Sequence, residues 1–189
     1  MGYEAMPLIA LAAREGAINS LKYLISAGAN VNVRTPDGDT PLMLAAYFSE
    51  DGPGGARGSL QKYEQAVRML VEAGAELENW GNLYTPLSYA AYRGRDDTVR
   101  FLLGRGARVN ADAQERMINI NTPLMMAVMQ GHQSTTNQLL RAGADAGIRV
   151  KGGMTAYEFA RKNNQTHLFQ MLTCAERLQP GESFAQRCQ

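Results

Sequence analysis

The tripeptide Thr-Pro-Leu occurs three times in this chain of 189 residues, beginning at Thr40, Thr85 and Thr122. Weaker copies begin at Pro7 and Thr155. Counted at the second residue of each copy, the spacings are 33, 45, 37 and 33 residues. A period of about 20 to 50 residues is typical of repeat proteins, in which small units stack and share a continuous core. The repeat constrains the fold more than any other feature of the sequence.

Each copy of the tripeptide has the chemistry of a helix start. A threonine hydroxyl can accept a hydrogen bond from an unpaired backbone N–H, and proline at the first helical position loses no bond. Small pairs such as Ala45-Ala46 follow, where they allow close helix packing. Gly16, Gly94 and Gly131 stand where this helix should end in the left-handed conformation. The pattern predicts a short first helix in each unit.

A second helix is predicted from apolar residues at positions i, i+3 and i+4, for example Leu21, Leu24 and Ile25. Turn residues, notably Asp37-Gly38, come between one unit and the next. The predicted unit is therefore a helix, a second helix and a projecting turn. In four units a glycine followed by alanine closes the second helix, at Gly28, Gly74, Gly106 and Gly143.

With these motifs the chain resembles the ankyrin-repeat family. The resemblance rests on residues 37–42 (Asp-Gly-Asp-Thr-Pro-Leu), 44–46 (Leu-Ala-Ala) and 27–32 (Ala-Gly-Ala-Asn-Val-Asn), and it covers roughly residues 6–173. It implies an all-α fold, an ankyrin-repeat solenoid of about five helix-turn-helix repeats with projecting β-turn fingers. The family usually has histidine after Thr-Pro-Leu. Here Met43, Ser88 and Met125 replace it, so the sequence does not account for the hydrogen bond that this histidine makes.

The predicted ankyrin-repeat domain spans residues 1–173, with the outer repeats as caps, and a C-terminal tail spans 174–189. Two insertions interrupt the period. Residues 49–61 are expected to form a glycine-rich surface loop, and they lack the GxxxxGK[ST] pattern of a phosphate-binding loop. A shorter insertion enlarges the turn around residues 114–121. The five repeats are predicted at about residues 6–33, 34–79, 80–115, 116–148 and 149–173.

Composition argues against several classes of protein. A net charge of +1 does not favour nucleic-acid binding, and no apolar run approaches the roughly 20 residues of a membrane span. Two cysteines without a CxxC pair do not make a four-thiolate zinc site. Neither His132 nor His167 belongs to a visible catalytic arrangement. We therefore expect no enzyme activity, no cofactor and no metal.

The resemblance implies that finger tips and first helices line one concave face, rich in residue types that binding surfaces favour. The leading hypothesis is a non-catalytic module, monomeric when free, that binds another protein here. The alternative is a dedicated inhibitor or immunity protein that occludes a toxin or enzyme. Trp80 and Tyr47 could instead pack against the insertion or a neighbouring finger. The expected partner-binding residues are Asp37, Asp39, Tyr47, Phe48, Trp80, Tyr84, Tyr92, Arg93, Arg95, Met117, Ile118 and Met129.

Cys174 and Cys188 flank the C-terminal tail, where a disulfide would pin the tail against the last repeat. Such a bond predicts a periplasmic protein whose leader has been removed, whereas two free thiols predict a cytoplasmic one. Arginine outnumbers lysine 15 to 4, a bias that suggests a bacterial source.

Overall fold

The computed structural model describes residues 6–48, 57–78, 84–110, 122–149, 153–178 and 182–188, and every regular element in these ranges is helical. The chain folds into two compact units, Met1–Pro86 and Leu87–Gln189. Within the described residues, ten helices form five consecutive pairs and a short helix follows them: α1 Leu8–Arg14 with α2 Ile18–Ser26, α3 Pro41–Tyr47 with α4 Arg57–Glu72, α5 Pro86–Tyr92 with α6 Asp96–Gly104, α7 Pro123–Met129 with α8 Gln133–Arg141, α9 Ala156–Lys162 with α10 Thr166–Glu176, and α11 Phe184–Arg187.

The first helices begin at residues 8, 41, 86, 123 and 156, the positions from which the repeat spacing was counted. Two of the predicted threonine caps, those of Thr40 and Thr122, are seen directly. The Thr40 hydroxyl accepts the Met43 N–H at 3.3 Å, and Thr122 does the same for Met125 at 3.3 Å. The Met43 sulfur in turn accepts the Thr40 N–H at 3.4 Å. The Met43 thioether, although a weak acceptor, thus makes a helix-start hydrogen bond in the place where the family usually has histidine.

The core of each unit forms between neighbouring repeats. In the first unit α1 packs on α3 and α2 on α4, and in the second α7 packs on α9 and α8 on both α6 and α10. Small residues of the first helices allow this approach. Burying each leucine of the second helices stabilises the fold by roughly 1.5–3 kcal/mol. The side chains with no exposed surface include Ala13, Ala45, Ala46, Ala90, Ala91 and Ala127 from first helices and Leu21, Leu70, Leu102, Leu139 and Leu172 from second helices.

Asparagine side chains join successive turns. In the first unit Asn32 Oδ1 accepts the Glu76 N–H at 2.9 Å, while Nδ2 donates to the Gly74 carbonyl at 3.2 Å. In the second unit Asn110 Oδ1 accepts the Asp145 N–H at 2.9 Å, and Nδ2 donates to the Gly143 carbonyl at 3.4 Å. These bonds fix the spacing of adjacent repeats where no helix connects them.

A histidine makes a comparable bridge in the second unit. His132, which precedes α8, places Nε2 3.0 Å from the carbonyl oxygen of Tyr92 in the preceding repeat. Beside it the Thr135 hydroxyl donates to Asp96 at 2.6 Å. The ring lies against Gly94, where an added Cβ would stand 2.5 Å from His132 Nδ1.

The structure corrects part of the predicted insertion. Residues 57–61 begin α4, which runs for 16 residues, whereas α2, α6 and α8 have nine each. The segment Leu60-Gln61-Lys62 consists of good helix formers, which favour extension of this helix. Residues 49–56 and the enlarged turn at 114–121 lie outside the described residues.

Part of the predicted C-terminal tail forms a short helix that packs on the repeats. Helix α10 continues past the predicted boundary at residue 173, and α11 packs on α8 and α10. Phe184 is only 4% exposed, so it anchors α11 on the last two repeats. Cys174 and Cys188 are joined by a disulfide, with their Cα atoms 5.8 Å apart.

An arginine and a glutamate meet at the start of the fifth repeat. Arg149 Nη1 donates to Glu158 Oε2 at 2.8 Å, and Nη2 pairs with Oε1. Glu158 also accepts the Thr155 N–H at 3.0 Å, completing a capping box with the Thr155 hydroxyl. The hydrogen bond from Arg149, and after it the one from Thr155, hold the pKa of Glu158 below its ordinary value of 4.5.

The glycine contact with His132 can be tested by two alanine substitutions. Gly94 and Gly106 both have positive φ, +64° and +92°, so alanine costs about 1–2 kcal/mol at either position. Only Gly94→Ala must also displace the His132 ring, since nothing lies within 4 Å of a Cβ at Gly106. In urea unfolding, we expect Gly94→Ala to lower the free energy of unfolding by about 1 kcal/mol or more beyond the decrease caused by Gly106→Ala. Equal losses would show that the bridge does not stabilise the fold.

The Glu158 ion pair gives a dependence on pH. Because its pKa is lowered in the folded protein, its contribution is present above the ordinary carboxyl value of 4.5 and is lost as the pH falls through the folded pKa. Glu158→Gln should therefore lower the melting temperature at neutral pH and match the wild type in acid. Glu176→Gln, at an exposed carboxylate on α10, is the control. A melting difference between Glu158→Gln and wild type that stays constant with pH would contradict this assignment.

Candidate protein-binding face

One position recurs at the end of every first helix. The last residues of α1, α3, α5, α7 and α9 are Arg14, Tyr47, Tyr92, Met129 and Lys162. Three of them, Tyr47, Tyr92 and Met129, are expected partner-binding residues from the sequence. Arg14 and Lys162 were not named there, although they stand at the same distance from their helix starts. We call these residues, with Phe48, Arg93 and the finger residues 35–39, the inner face, a name that covers one set of residues in the first unit and a separate set in the second.

The first unit contributes a packed aromatic cluster to the inner face. The Tyr47 and Phe48 rings lie edge to face with centroids 5.1 Å apart, and the Arg14 guanidinium lies 4.9 Å from the Phe48 centroid. All three side chains are half-buried. An aromatic pair and a cation–π contact each contribute about 1 kcal/mol, so the cluster is held in one arrangement before any partner arrives.

Hydrogen bonds within the turn order the finger of the second repeat. The Thr35 N–H donates to the Asp39 carbonyl at 2.9 Å, and the Asp39 N–H donates to the Thr35 hydroxyl at 3.1 Å. Gly38, with φ of 88°, takes the left-handed conformation that closes the turn. Asp37 is exposed at the tip and Asp39 is half-buried. The tip therefore presents a carboxylate on a short, rigid turn.

The second unit contributes Tyr92, Arg93 and Met129, all half-buried. The main-chain oxygen of Tyr92 makes the bridge to His132, so this tyrosine is fixed through its backbone. Tyr84, which precedes α5, is also half-buried. Apart from Lys162 and the finger residues, the inner-face residues are aromatic, arginine and methionine side chains, the types enriched at protein interfaces.

Arg95 is another of the expected partner-binding residues. It is 7% exposed, and its N–H donates to the Ala90 carbonyl at 3.0 Å in the turn before α6. Arg95 thus exposes little surface, and the expectation that it contacts a partner stays a prediction. Trp80, Met117 and Ile118 lie outside the described residues, and their role stays a prediction.

The described ranges hold no group of three or more His, Cys, Asp or Glu side chains placed to bind a metal ion. Within the same ranges, no helix has the length and apolarity needed to cross a membrane. The inner face presents partly accessible side chains that another molecule can contact.

Two family models match the chain. One, for ankyrin repeats in three copies, covers residues 9–113, and another, for ankyrin repeats in many copies, covers residues 87–140. The first match covers more than half of the chain, and the chain belongs to the ankyrin-repeat family. Ankyrin repeats generally mediate protein–protein interaction, and proteins of this family are typically non-catalytic.

Two curated relatives have similar sequences. The mouse (Mus musculus) ankyrin repeat and SOCS box protein 16 is 37% identical over 105 residues, 55% of this chain and 22% of that protein. Dauer abnormal formation protein 25 of Caenorhabditis elegans is 36% identical over 76 residues, 40% of this chain and 17% of that protein. The chain thus spans about a fifth of the length of these relatives.

Proposed function

We propose that this chain is a non-catalytic module that binds a protein partner through its inner face. The observation that most supports this is the Arg14–Phe48–Tyr47 cluster, in which a cation and two aromatic rings from adjacent repeats are packed together and half-buried. A preformed cluster loses little side-chain entropy on binding, so its buried area contributes more fully to affinity.

The substitutions Tyr47→Ala and Tyr92→Ala test the inner face. A partner is first captured with the wild-type chain and identified, and its affinity is then measured by titration calorimetry. The double variant should weaken binding by about 2 kcal/mol, roughly 30-fold in dissociation constant. The variant should still fold, since the bridge to His132 uses the Tyr92 carbonyl oxygen and not the phenol ring.

Phe101→Ala is the matched control. Phe101 is an aromatic residue of α6, in the same repeat as Tyr92, and the Arg105 guanidinium lies 4.7 Å from its ring. It lies on a second helix, outside the inner face, so its removal should leave the partner affinity unchanged. Wild-type affinity in a folded Tyr47→Ala/Tyr92→Ala variant would refute the proposed binding face.

A dedicated inhibitor or immunity protein is the second candidate. The observation that favours it is Asp37, an exposed carboxylate at the tip of a hydrogen-bonded turn, a shape suited to entering an enzyme active site. An inhibitor requires the captured partner to be an enzyme whose activity falls on binding, and Asp37→Asn should then restore that activity. An adaptor leaves the partner's activity unaltered.

The Cys174–Cys188 disulfide supports placing the protein in an oxidising compartment, where such bonds persist. By the chain-entropy model a loop of this size adds about 3 kcal/mol of stability. Protein isolated from its native cells without reductant and then denatured should show no free thiol on titration. Two free thiols would contradict an oxidising compartment.

A further inference from the structure

A short segment after the last repeat lies over the second helices of the fourth and fifth repeats. We call residues 182–188, which contain α11, the strap. Helix α11 packs on α8 and α10, and Phe184 is buried there. The strap forms one wall of a cavity of about 830 Å³, whose other walls are the end of α8, the turn at residues 142–147 and the end of α10. The strap therefore covers a surface that belongs to the repeats.

Several polar bonds of the strap join its own residues to one another. The Arg187 N–H donates to the Ser183 carbonyl at 3.2 Å, and the Cys188 N–H donates to the Phe184 carbonyl at 3.0 Å. The Arg187 side chain also pairs with Glu182, with Nε 3.1 Å from Oε1. Because both partners of each bond lie in the strap, these bonds do not hold it on the repeats.

Phe184 and the disulfide from Cys188 to Cys174 of α10 tie the strap to the repeats. A helix of four residues, such as α11, is far too short to persist alone in water. Burial of one phenylalanine is opposed by the conformational entropy that is lost when the strap becomes ordered. The disulfide offsets part of this loss, because it keeps an undocked strap close to α10. By the chain-entropy model, a bond that closes a loop of this size favours the docked strap by roughly 100-fold.

The disulfide is accessible, and the packing of the repeats does not depend on it. Cys174 and Cys188 are both half-buried. Thiol–disulfide exchange needs a thiolate to reach one sulfur of the bond, and partial exposure allows this approach. The buried residues of α10 are Leu168 and Leu172, and neither cysteine is among them. Loss of the bond therefore leaves the packing of α10 on α8 and α9 in place.

We propose that the strap is a redox-sensitive latch, which the Cys174–Cys188 disulfide keeps closed and which a dithiol opens. One thiolate of the dithiol attacks a sulfur of the bond to give a mixed disulfide, and its second thiol then displaces the protein sulfur. The dithiol loses two electrons and becomes a disulfide, while Cys174 and Cys188 each take up a proton as thiols. Phe184 then undocks, and the surface of α8 and α10 beneath it is uncovered while the repeats stay folded.

Chymotrypsin cleavage after Phe184 reports the open latch directly, because the protease must take the ring into its own apolar pocket. The full oxidised chain is compared with Cys174→Ser/Cys188→Ser, which lacks the bond and needs no reductant. When the strap opens and closes quickly, the cleavage rate follows the open population. We expect cleavage after Phe184 to be at least about tenfold faster in the serine variant. Cleavage after Phe101, on α6 of the same unit, is the internal control and should be equal in both proteins.

Hydrogen–deuterium exchange shows whether a dithiol opens the latch reversibly. Dithiothreitol added to the oxidised wild type should raise exchange in the strap and at the end of α8, and it should leave α7 and α9 unchanged. Oxidised glutathione should then re-form the bond and restore the original protection. The serine variant should show the open pattern throughout and should not respond to dithiothreitol.

Three results would overturn the proposal. One is equal protection of the strap in the oxidised wild type and the serine variant, which would mean that Phe184 holds the strap without the bond. Another is loss of protection in α7 to α10 on reduction, which would make the bond a staple of the repeats themselves. The third is a bond that dithiothreitol does not reduce in the folded protein, or that oxidised glutathione does not re-form.

Discussion

Packing between neighbouring repeats is the interaction on which the rest of this structure depends. Its first helices have seven residues each, far short of the roughly 12–15 that an isolated helix needs in water. They persist because Ala13, Ala45 and Ala46, without exposed surface, let adjacent helices approach closely. The Asn32 and Asn110 bridges and the His132 bond hold the turns in the same spacing. Stability therefore arises between repeats more than within them.

Under the proposed function, stability and recognition depend on different residues. Stacking uses the apolar stripe of each second helix and the small residues of each first helix. The last residues of the first helices, such as Tyr47 and Tyr92, stay at least partly accessible to solvent. The position at the end of each first helix recurs, while the residues there differ: Arg14, Tyr47, Tyr92, Met129 and Lys162.

The fold could be predicted from the sequence because its signals are local. Thr40 and Thr122 cap helices through bonds three residues away, so the helix starts follow from the tripeptides alone. Burial of Arg95, docking of Phe184 and the bond from Asn32 to Gly74 depend on residues distant in the chain, and no spacing rule gives them. The contact of Arg14 with the Phe48 ring of the next repeat likewise joins residues far apart in the chain, although the position of Arg14 at the end of a first helix recurs in every repeat.

Hydrogen–deuterium exchange of the chain with its captured partner tests the central claim, that the inner face is the binding surface, most directly. The account predicts that protection on binding concentrates in the finger at residues 35–39 and at the ends of α3, α5 and α7, around Tyr47, Tyr92 and Met129. The exchange rates in α2 and α6, two of the second helices, should not change on binding. Protection confined to the second helices, with the finger and the ends of the first helices unaffected, would contradict it.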